Sequence, residues 1–291
     1  MKYYLLNICF AIITVIFLAG CSELDTNNIA PQTKKIAVHP EGFITPSSAD
    51  FHGKVIKAEN WDMSKCEQCH AADFSGGTTG KSCLTCHTGS KGPLACNTCH
   101  GDFNDPSHIA PPRDIEGNTS TGAPGVGAHE KHLYTNTIGN KVKCSACHNV
   151  PQSVYAQGHL DTGLPAEINF KGQAVLGGIT GATFNYNSFS CSNTYCHGNF
   201  NFSKTSAPAE DQFAFVSDMM SGNNATVDWI TVNGTQDKCG SCHDLPPKGH
   251  IGHGTMPVKD CVGCHYGVVD SEGNIIDNTK HINGEVNVRG N

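Results

Sequence analysis

Fourteen of the 16 cysteines in this 291-residue chain fall into seven pairs, and a histidine directly follows every pair. Six pairs have the spacing C-x-x-C-H, and they are Cys66-Cys69-His70, Cys83-Cys86-His87, Cys96-Cys99-His100, Cys144-Cys147-His148, Cys239-Cys242-His243 and Cys261-Cys264-His265. The seventh, Cys191-Cys196-His197, has four residues between its cysteines. Such regular placement indicates that the two thiols and the imidazole of each motif act together.

Two thiols beside an imidazole are what covalent attachment of a c-type haem requires. The thiols add to the two vinyl groups on one edge of the porphyrin, and the next residue then lies over the ring face. Its imidazole can bind the iron there as the proximal ligand. The wider motif keeps both thiols and the histidine. The sequence therefore predicts seven covalent c haems, with proximal ligands His70, His87, His100, His148, His197, His243 and His265.

Two other uses of paired cysteines compete with haem attachment. The spacing from Cys66 to Cys86 is close to that of a zinc ribbon. Exported chains also form disulfides, and seven would be plausible by count. Neither use explains a histidine after every pair, so haem attachment remains the favoured interpretation.

Nine further histidines lie outside the motifs and could bind the second axial position of the irons. The favoured distal candidates are His52, His108, His129, His132, His159, His253 and His281. His250 and His39 rank lower. Methionine is the other familiar sixth ligand, but Met63, Met219, Met220 and Met256 follow no recurring pattern and are expected to serve packing.

Two stretches, residues 122–170 and 246–291, share one order of features and are interpreted as two copies of a haem-binding unit. Each contains a His pair at i and i+3, a C-x-x-C-H motif, a distant histidine and a short alternating segment that could be a strand. In the first copy these are His129 with His132, Cys144 to His148, His159 and residues 167–170. In the second they are His250 with His253, Cys261 to His265, His281 and residues 285–288. The repeat makes His159 and His281 the strongest distal candidates.

The segments between the motifs carry weaker predictions. Three motifs crowd into residues 66–100, which leaves room only for turns and one-turn helices, so their haems must be closely packed. His52 upstream and His108 downstream could ligate this cluster. Glycine-rich residues 172–190 predict a hairpin. The spacer that follows has no motif, and we expect some helix near residues 211–220.

The chain is poor in residues that build an apolar core. Leu, Ile, Val and Phe make up about a fifth of it, near the limit at which side chains alone can drive folding. Porphyrins are large apolar bodies that could fill this role, so the apoprotein is expected to be largely unfolded. We expect a mostly irregular, loop-rich fold with short helices and a few short strands, packed around haem as in multihaem cytochromes c.

The amino terminus reads as an export signal over residues 1–20, with Lys2 before an apolar run from Leu5 to Leu18. The sequence Leu18-Ala19-Gly20-Cys21 resembles the lipobox of bacterial lipoproteins, which implies cleavage before Cys21 and a lipid on its sulfur. Residues 21–50 are interpreted as a flexible tether. We therefore expect an exported protein, lipid-anchored to the outer membrane at its periplasmic or cell-surface face.

The formal net charge is −7, and the two arginines, Arg113 and Arg289, are far apart in sequence. Without a basic cluster, nucleic acid is not an expected partner. Beyond the tether, the predicted organisation is a three-haem cluster at 51–121, the first repeat plus the wider motif at 122–198, a spacer at 199–238 and a C-terminal two-haem unit at 239–291.

The chain resembles the multihaem cytochromes of metal-reducing bacteria whose domain pairs a C-x-x-x-x-C-H motif with a later C-x-x-C-H. The residues that carry the resemblance are Gly127-Ala-His129-Glu-Lys-His132, Cys144-Ser-Ala-Cys-His148-Asn-Val-Pro, Cys191 to His197-Gly198, Cys239-Gly-Ser-Cys-His243 with Pro246-Pro247, and His281-Ile-Asn-Gly284. It implies electron transfer in the periplasm or outer membrane, often in respiration on extracellular acceptors. The short approach from His250 and His253 to Cys261 departs from the pattern.

The favoured function is electron transfer by a seven-haem cytochrome, mostly bis-His ligated, in anaerobic or extracellular respiration. Its expected partners are other cytochromes or extracellular electron acceptors, and the membrane through the lipid anchor. The alternative is a multihaem terminal reductase with one open haem iron. No motif histidine is replaced by lysine, the substitution that marks one multihaem nitrite reductase family, so a carrier is preferred to an enzyme.

Overall fold

The computed structural model describes residues 38–110 and 112–290, which form two compact units, one ending at Asn60 and one beginning at Trp61. The predicted signal peptide, the lipidation site Cys21 and most of the predicted tether lie outside the described residues. The last part of that tether, residues 38–50, consists of hydrogen-bonded turns, in which Thr45 donates to Gly42 and Ser48 donates to Thr45.

The helices are short, as the frequent glycines and closely spaced motifs predict. The described α-helices are His52–Ala58, Ser64–His70, Cys96–Cys99, His129–Leu133 and Val262–His265. The 3-10 helices are Gly77–Thr79, Cys83–Thr85, Gly92–Leu94, Cys144–Ala146, Gly172–Gly178, Tyr195–His197, Lys204–Ser206, Gln212–Ala214, Val258–Asp260 and Asn278–Lys280. Six of these fifteen short helices contain a motif cysteine, and together they serve six of the seven motifs.

Two small antiparallel sheets complete the regular structure. Strand β1 (Thr183–Asn185) pairs with β2 (Ser190–Ser192), and β5 (Val227–Asp228) joins the other edge of β2. The hairpin predicted in this region is therefore confirmed. Strands β3 (Asn201–Ser203) and β4 (Met219–Ser221) form the second sheet. The expectation of a loop-rich fold with short helices and a few short strands is confirmed.

The helix expected near residues 211–220 was wrong. Only the 3-10 turn Gln212–Ala214 forms there, and the chain then extends into β4, where Met220 lies opposite Phe202 of β3. Phe215 and Met220 are both buried. Pairing and burial of these bulky side chains outweigh the weak local preference for helix.

The side-chain core is small. Among the described residues only eleven apolar side chains are buried, and none of the large ones falls below 2% exposure. The buried set is Met63, Phe74, Ala110, Val126, Ala146, Ala174, Tyr195, Phe215, Met220, Val227 and Val268. Three of these are alanines, so the interior offers little apolar volume of its own.

Within the described ranges, we find no helix with the length and apolarity needed to cross a bilayer.

Candidate haem-binding sites

A single helical turn sets the geometry of most C-x-x-C-H motifs. The backbone N–H of the motif histidine donates to the carbonyl of the first cysteine at 2.9 Å in His100, His148 and His265, and at 3.0 Å in His87. Residues i, i+3 and i+4 of such a turn share one face. Both thiols and the imidazole of a motif therefore lie on the same side of the chain, as attachment to one porphyrin edge requires.

The wider motif reaches a related arrangement by another route. Cys191 lies on β2, and Cys196 lies in the 3-10 helix Tyr195–His197. Between them Asn193 adopts a left-handed backbone conformation with φ of 58°, which ends the strand and turns the chain into the helix. Four intervening residues are needed because the two cysteines belong to two different elements.

Five motif histidines face a second histidine at nearly the same separation. The ring centroids are 6.0 Å apart for His100 with His159, 6.2 Å for His129 with His148, 6.1 Å for His132 with His197, 6.3 Å for His243 with His281 and 6.4 Å for His250 with His265. The other ring contacts of the described residues span 4.1–6.3 Å, so the histidine pairs occupy a narrower range.

This separation suits a metal held between two imidazoles. An imidazole nitrogen binds a metal at about 2.0 Å and lies about 1 Å from its ring centroid, so two rings on one iron have centroids about 6 Å apart. All five pairs meet this requirement. The thiols of each motif and its facing histidine together satisfy the donor set of a bis-His c haem.

Hydrogen bonds fix the imidazole tautomers in these pairs. Each distal ring donates from Nδ1 to a backbone carbonyl. His129 donates to Val126, His132 to Ala128, His159 to Val154, His250 to Ile251 and His281 to Ile138. Among the motif rings of the pairs, the Nδ1 of His148 donates to the Glu167 carbonyl, that of His243 to Asp244 and that of His265 to Asn287. Outside the pairs, the Nδ1 of His70 donates to the Lys81 carbonyl. Because a carbonyl only accepts, each Nδ1 carries the proton and Nε2 keeps its lone pair for a metal.

Burial favours the neutral form of several of these imidazoles. It is the main cause that lowers the pKa of His129 and of His197 to about 4. Burial also lowers the pKa of His100, His132 and His281. A protonated imidazole cannot bind a metal, so the lowered pKa values favour the ligating form throughout the physiological range.

Three of the buried motif thiols have pKa values that are shifted the other way, also because of burial. The pKa of Cys147 is raised to about 11, and those of Cys191 and Cys196 to about 12. None of the fourteen motif cysteines forms a disulfide within the described residues. No cluster of three or more His, Cys, Asp or Glu side chains within the described ranges has the geometry of a metal site.

The two repeats place their ligands in equivalent ways. The first histidine of each pair, His129 or His250, faces the motif histidine of its own copy. The distant histidine faces the motif histidine that precedes the copy, so His159 meets His100, and the second copy repeats this with His281 and His243. The contacts of His129 and His159 thus correspond to those of His250 and His281, while the repeat itself stays a prediction from the sequence.

The alternating segments of the repeats are extended chains beside the motifs rather than strands. Asn169 N–H donates to the carbonyl of Cys147, and Arg289 N–H donates to that of Cys264, the equivalent cysteine. By this contact Asn169 corresponds to Arg289. Matching residues 167–170 with residues 285–288, as in the sequence, would instead pair it with Asn287, two residues earlier. A shift of two residues in an extended chain keeps the same side chains on the same face.

The second histidines of the two His pairs differ. His132 faces His197 of the wider motif. Its counterpart His253 donates from Nδ1 to the Pro246 carbonyl, and its Nε2 lies 3.7 Å from a carboxylate oxygen of Asp244. The structure therefore brings His250, which ranked lower in the sequence, opposite a motif histidine, and gives His253 other contacts.

The other histidines proposed as distal ligands are His108, His52 and His39, and each has a contact of another kind. His108 Nε2 lies 2.8 Å from Glu130 Oε2, so a carboxylate occupies the nitrogen that would bind iron. Within the first unit, His52 donates from Nδ1 to the Phe43 carbonyl and His39 stacks on Phe43 at 4.1 Å. Ligation of the three-motif cluster by His52 and His108 stays a prediction from the sequence.

Sequence reasoning missed one close approach between motifs. A Cβ on Gly198, where φ is 91°, would lie 1.9 Å from the Cys242 carbonyl oxygen. Only glycine allows the backbones that follow His197 and precede His243 to pack this closely. A glycine directly after the wider motif is the signal that could have indicated this contact.

A family model for the Geobacter CxxxxCH...CXXCH motif matches residues 190–243. The matched segment contains the wider motif from Cys191 to His197 and the C-x-x-C-H motif from Cys239 to His243. Comparisons with curated proteins and with solved structures returned no match. The motifs of this family imply covalently bound c-type haem and support a multihaem c-type cytochrome that transfers electrons. Over residues 190–243, the chain is similar to the Geobacter CxxxxCH...CXXCH motif family, which is consistent with a multihaem c-type cytochrome.

Proposed function

We propose that this protein is a seven-haem c-type cytochrome, mostly bis-His ligated, that relays electrons in anaerobic or extracellular respiration. The observation that carries the proposal is the set of five facing histidine pairs with centroids 6.0–6.4 Å apart. Each pair combines one motif histidine with one from outside the motifs.

Each bound haem would supply an iron that takes up and releases single electrons. The protein's residues would hold it by two thioethers and two imidazoles. In the five pairs the distal ligands would be His129, His132, His159, His250 and His281. Two imidazoles leave no axial position for a substrate and give lower potentials than His/Met ligation, which favours transfer over catalysis.

Neighbouring sites lie close enough for a relay. His129 and His132 share one short helix but face different motif histidines. The motif backbones of the His197 and His243 sites pack together at Gly198. His148 also lies close enough to His100 to help lower its pKa, after burial and His159. We propose a path through the sites of His100, His148, His197 and His243.

The proposed location depends on the sequence alone. An export signal and a lipobox ending in Cys21 would anchor the mature protein to the outer membrane, at its periplasmic or cell-surface face. Its partners there would be other cytochromes or extracellular electron acceptors.

The experiment that tests haem attachment is intact mass spectrometry of the exported, denatured protein. We expect the mass of seven haems to stay with the chain. The double variant Cys191→Ala/Cys196→Ala should retain six, which would show that the wider motif binds haem. A wild-type protein with no covalent haem would contradict the proposal, and six haems in both proteins would exclude the wider motif.

A further inference from the structure

The indole of Trp229 lies against both histidines of the His129–Leu133 helix. Its centroid is 4.7 Å from that of His129, with the rings edge to face at 89°. It is 5.7 Å from that of His132, with the rings stacked at 29°. These histidines face the motif histidines of two different sites. One side chain from the motif-free spacer therefore contacts ligands proposed for two haems.

Three interactions hold Trp229 in place, one through its indole and two through the backbone. Its Nε1 donates to the Pro124 carbonyl at 2.8 Å, and its backbone N–H donates to Phe189 at 2.7 Å. The preceding strand β5 pairs with β2, where Val227 lies opposite Cys191. Trp229 is thus tied to the segment before the His129 helix and to the strand that bears the first cysteine of the wider motif.

Gly127 makes room for the indole. Its φ is 45°, and a Cβ there would lie 2.0 Å from Nε1 and 2.3 Å from Cε2 of Trp229. Such distances are far inside van der Waals contact, so any larger residue must displace the ring. Gly127 lies two residues before His129, so the same short segment carries both the glycine that admits the indole and a histidine that the indole contacts.

We infer that Trp229 is a positioning residue that fixes the ring planes of His129 and His132, and thereby sets the ligand geometry of two adjacent haems. The inference deepens the proposed function and rests on it. The edge contact opposes rotation of His129, and stacking opposes rotation of His132. The angles to their motif partners are 24° for His129 with His148 and 72° for His132 with His197.

These angles have a spectroscopic consequence. At an iron held by two imidazoles, the angle between the ring planes sets the splitting of the d orbitals. Near-parallel rings give a rhombic electron paramagnetic resonance (EPR) spectrum, and near-perpendicular rings give a highly anisotropic one. A residue that fixes the rings therefore controls one signal of each kind in the oxidised protein.

The test is the EPR spectrum of the oxidised, haem-loaded Trp229→Ala protein. We expect one rhombic and one highly anisotropic low-spin signal to shift or broaden, with the others unchanged, and two midpoint potentials to shift. The control Phe213→Ala removes an aromatic ring of the same spacer that is 61% exposed, and it should leave every signal in place.

Gly127→Ala provides an independent variant, because its methyl group should displace the indole and reproduce the same two changes. Combining it with Trp229→Phe, whose ring is smaller, should partly restore both signals. If Trp229→Ala loses haem, the single variant Trp229→Phe replaces it in the test. Altered EPR signals in Trp229→Phe would support the inference, and unaltered EPR signals would contradict it. Unchanged spectra in Trp229→Ala and Gly127→Ala would overturn it. Failure of the proposed function would already appear in the wild type, as missing haem or high-spin iron.

Discussion

At the scale of single residues, the haem sites depend on where each imidazole donates its Nδ1 proton. The distal rings of the five facing pairs each donate to a backbone carbonyl. This bond fixes the tautomer, orients the ring and makes the ligating nitrogen more basic. His197 is different, because its buried Nδ1 has no hydrogen-bond partner among the described residues. Its ring is held instead within the wider motif, opposite His132.

The second repeat gives a direct comparison of two neighbouring histidines. His250→Ala should leave the iron at His265 without a sixth ligand and produce one equivalent of high-spin haem, detected by EPR and by the optical spectrum. The matched control His253→Ala should leave all haems low-spin, since His253 contacts Asp244 instead. High-spin haem in His253→Ala but not in His250→Ala would contradict this assignment.

Ring orientation predicts two classes of low-spin signal in the wild type. The angle between ring planes is 71° for His243 with His281, similar to the 72° at His197. The other three pairs have angles of 24°, 34° and 40°. We expect at least two irons to give highly anisotropic EPR signals and at least three to give rhombic ones. A spectrum of rhombic signals only would count against the described pairing.

At the scale of elements, short turns place ligands that are distant in sequence. The motifs, the wider spacing and the repeat could all be predicted from the sequence, because they depend on local residue order. The partners could not. His159 faces a motif histidine 59 positions earlier, and His281 is held by the carbonyl of Ile138. Such pairings depend on how the loops fold back, for which the sequence has no periodic signal.

Asn193 shows how one turn residue supports the wider motif. Asn193→Val should destabilise the holoprotein by about 1–3 kcal/mol, because a β-branched residue is strained in the left-handed conformation. Asn193→Gly is the matched control, since it loses the same side-chain hydrogen bonds to Gly181 and Asn224 but tolerates the backbone angle. Denaturant unfolding measures both. Equal losses of stability would show that the backbone angle is unimportant.

At the scale of the whole molecule, the low apolar content of the sequence and the small core of the structure both show a shortage of apolar side chains. Eleven buried apolar side chains among the described residues are few for a chain of this length. This shortage of buried apolar side chains could be predicted from the amino-acid composition. The sequence could not predict which side chains fill the remaining core, such as Phe74 and Tyr195, because their burial depends on tertiary contacts.

The apoprotein should therefore be largely unfolded. Chain produced without haem attachment should show a larger hydrodynamic radius and fast amide hydrogen exchange throughout. The holoprotein in the same buffer should be compact and protected, because covalent haem supplies apolar surface that the side chains lack. A compact, protected apoprotein would mean that the side chains alone suffice for folding.

The central claim is that every haem iron has a sixth ligand, a second imidazole in most cases, so that the protein carries electrons rather than converting a substrate. The most direct test is spin quantitation of the fully oxidised wild-type protein by EPR and magnetic circular dichroism. We predict that all seven irons are low-spin and that most of them are bis-His ligated, with no binding of cyanide. One full equivalent of high-spin iron that binds cyanide would contradict the closed relay and favour a reductase with an open site.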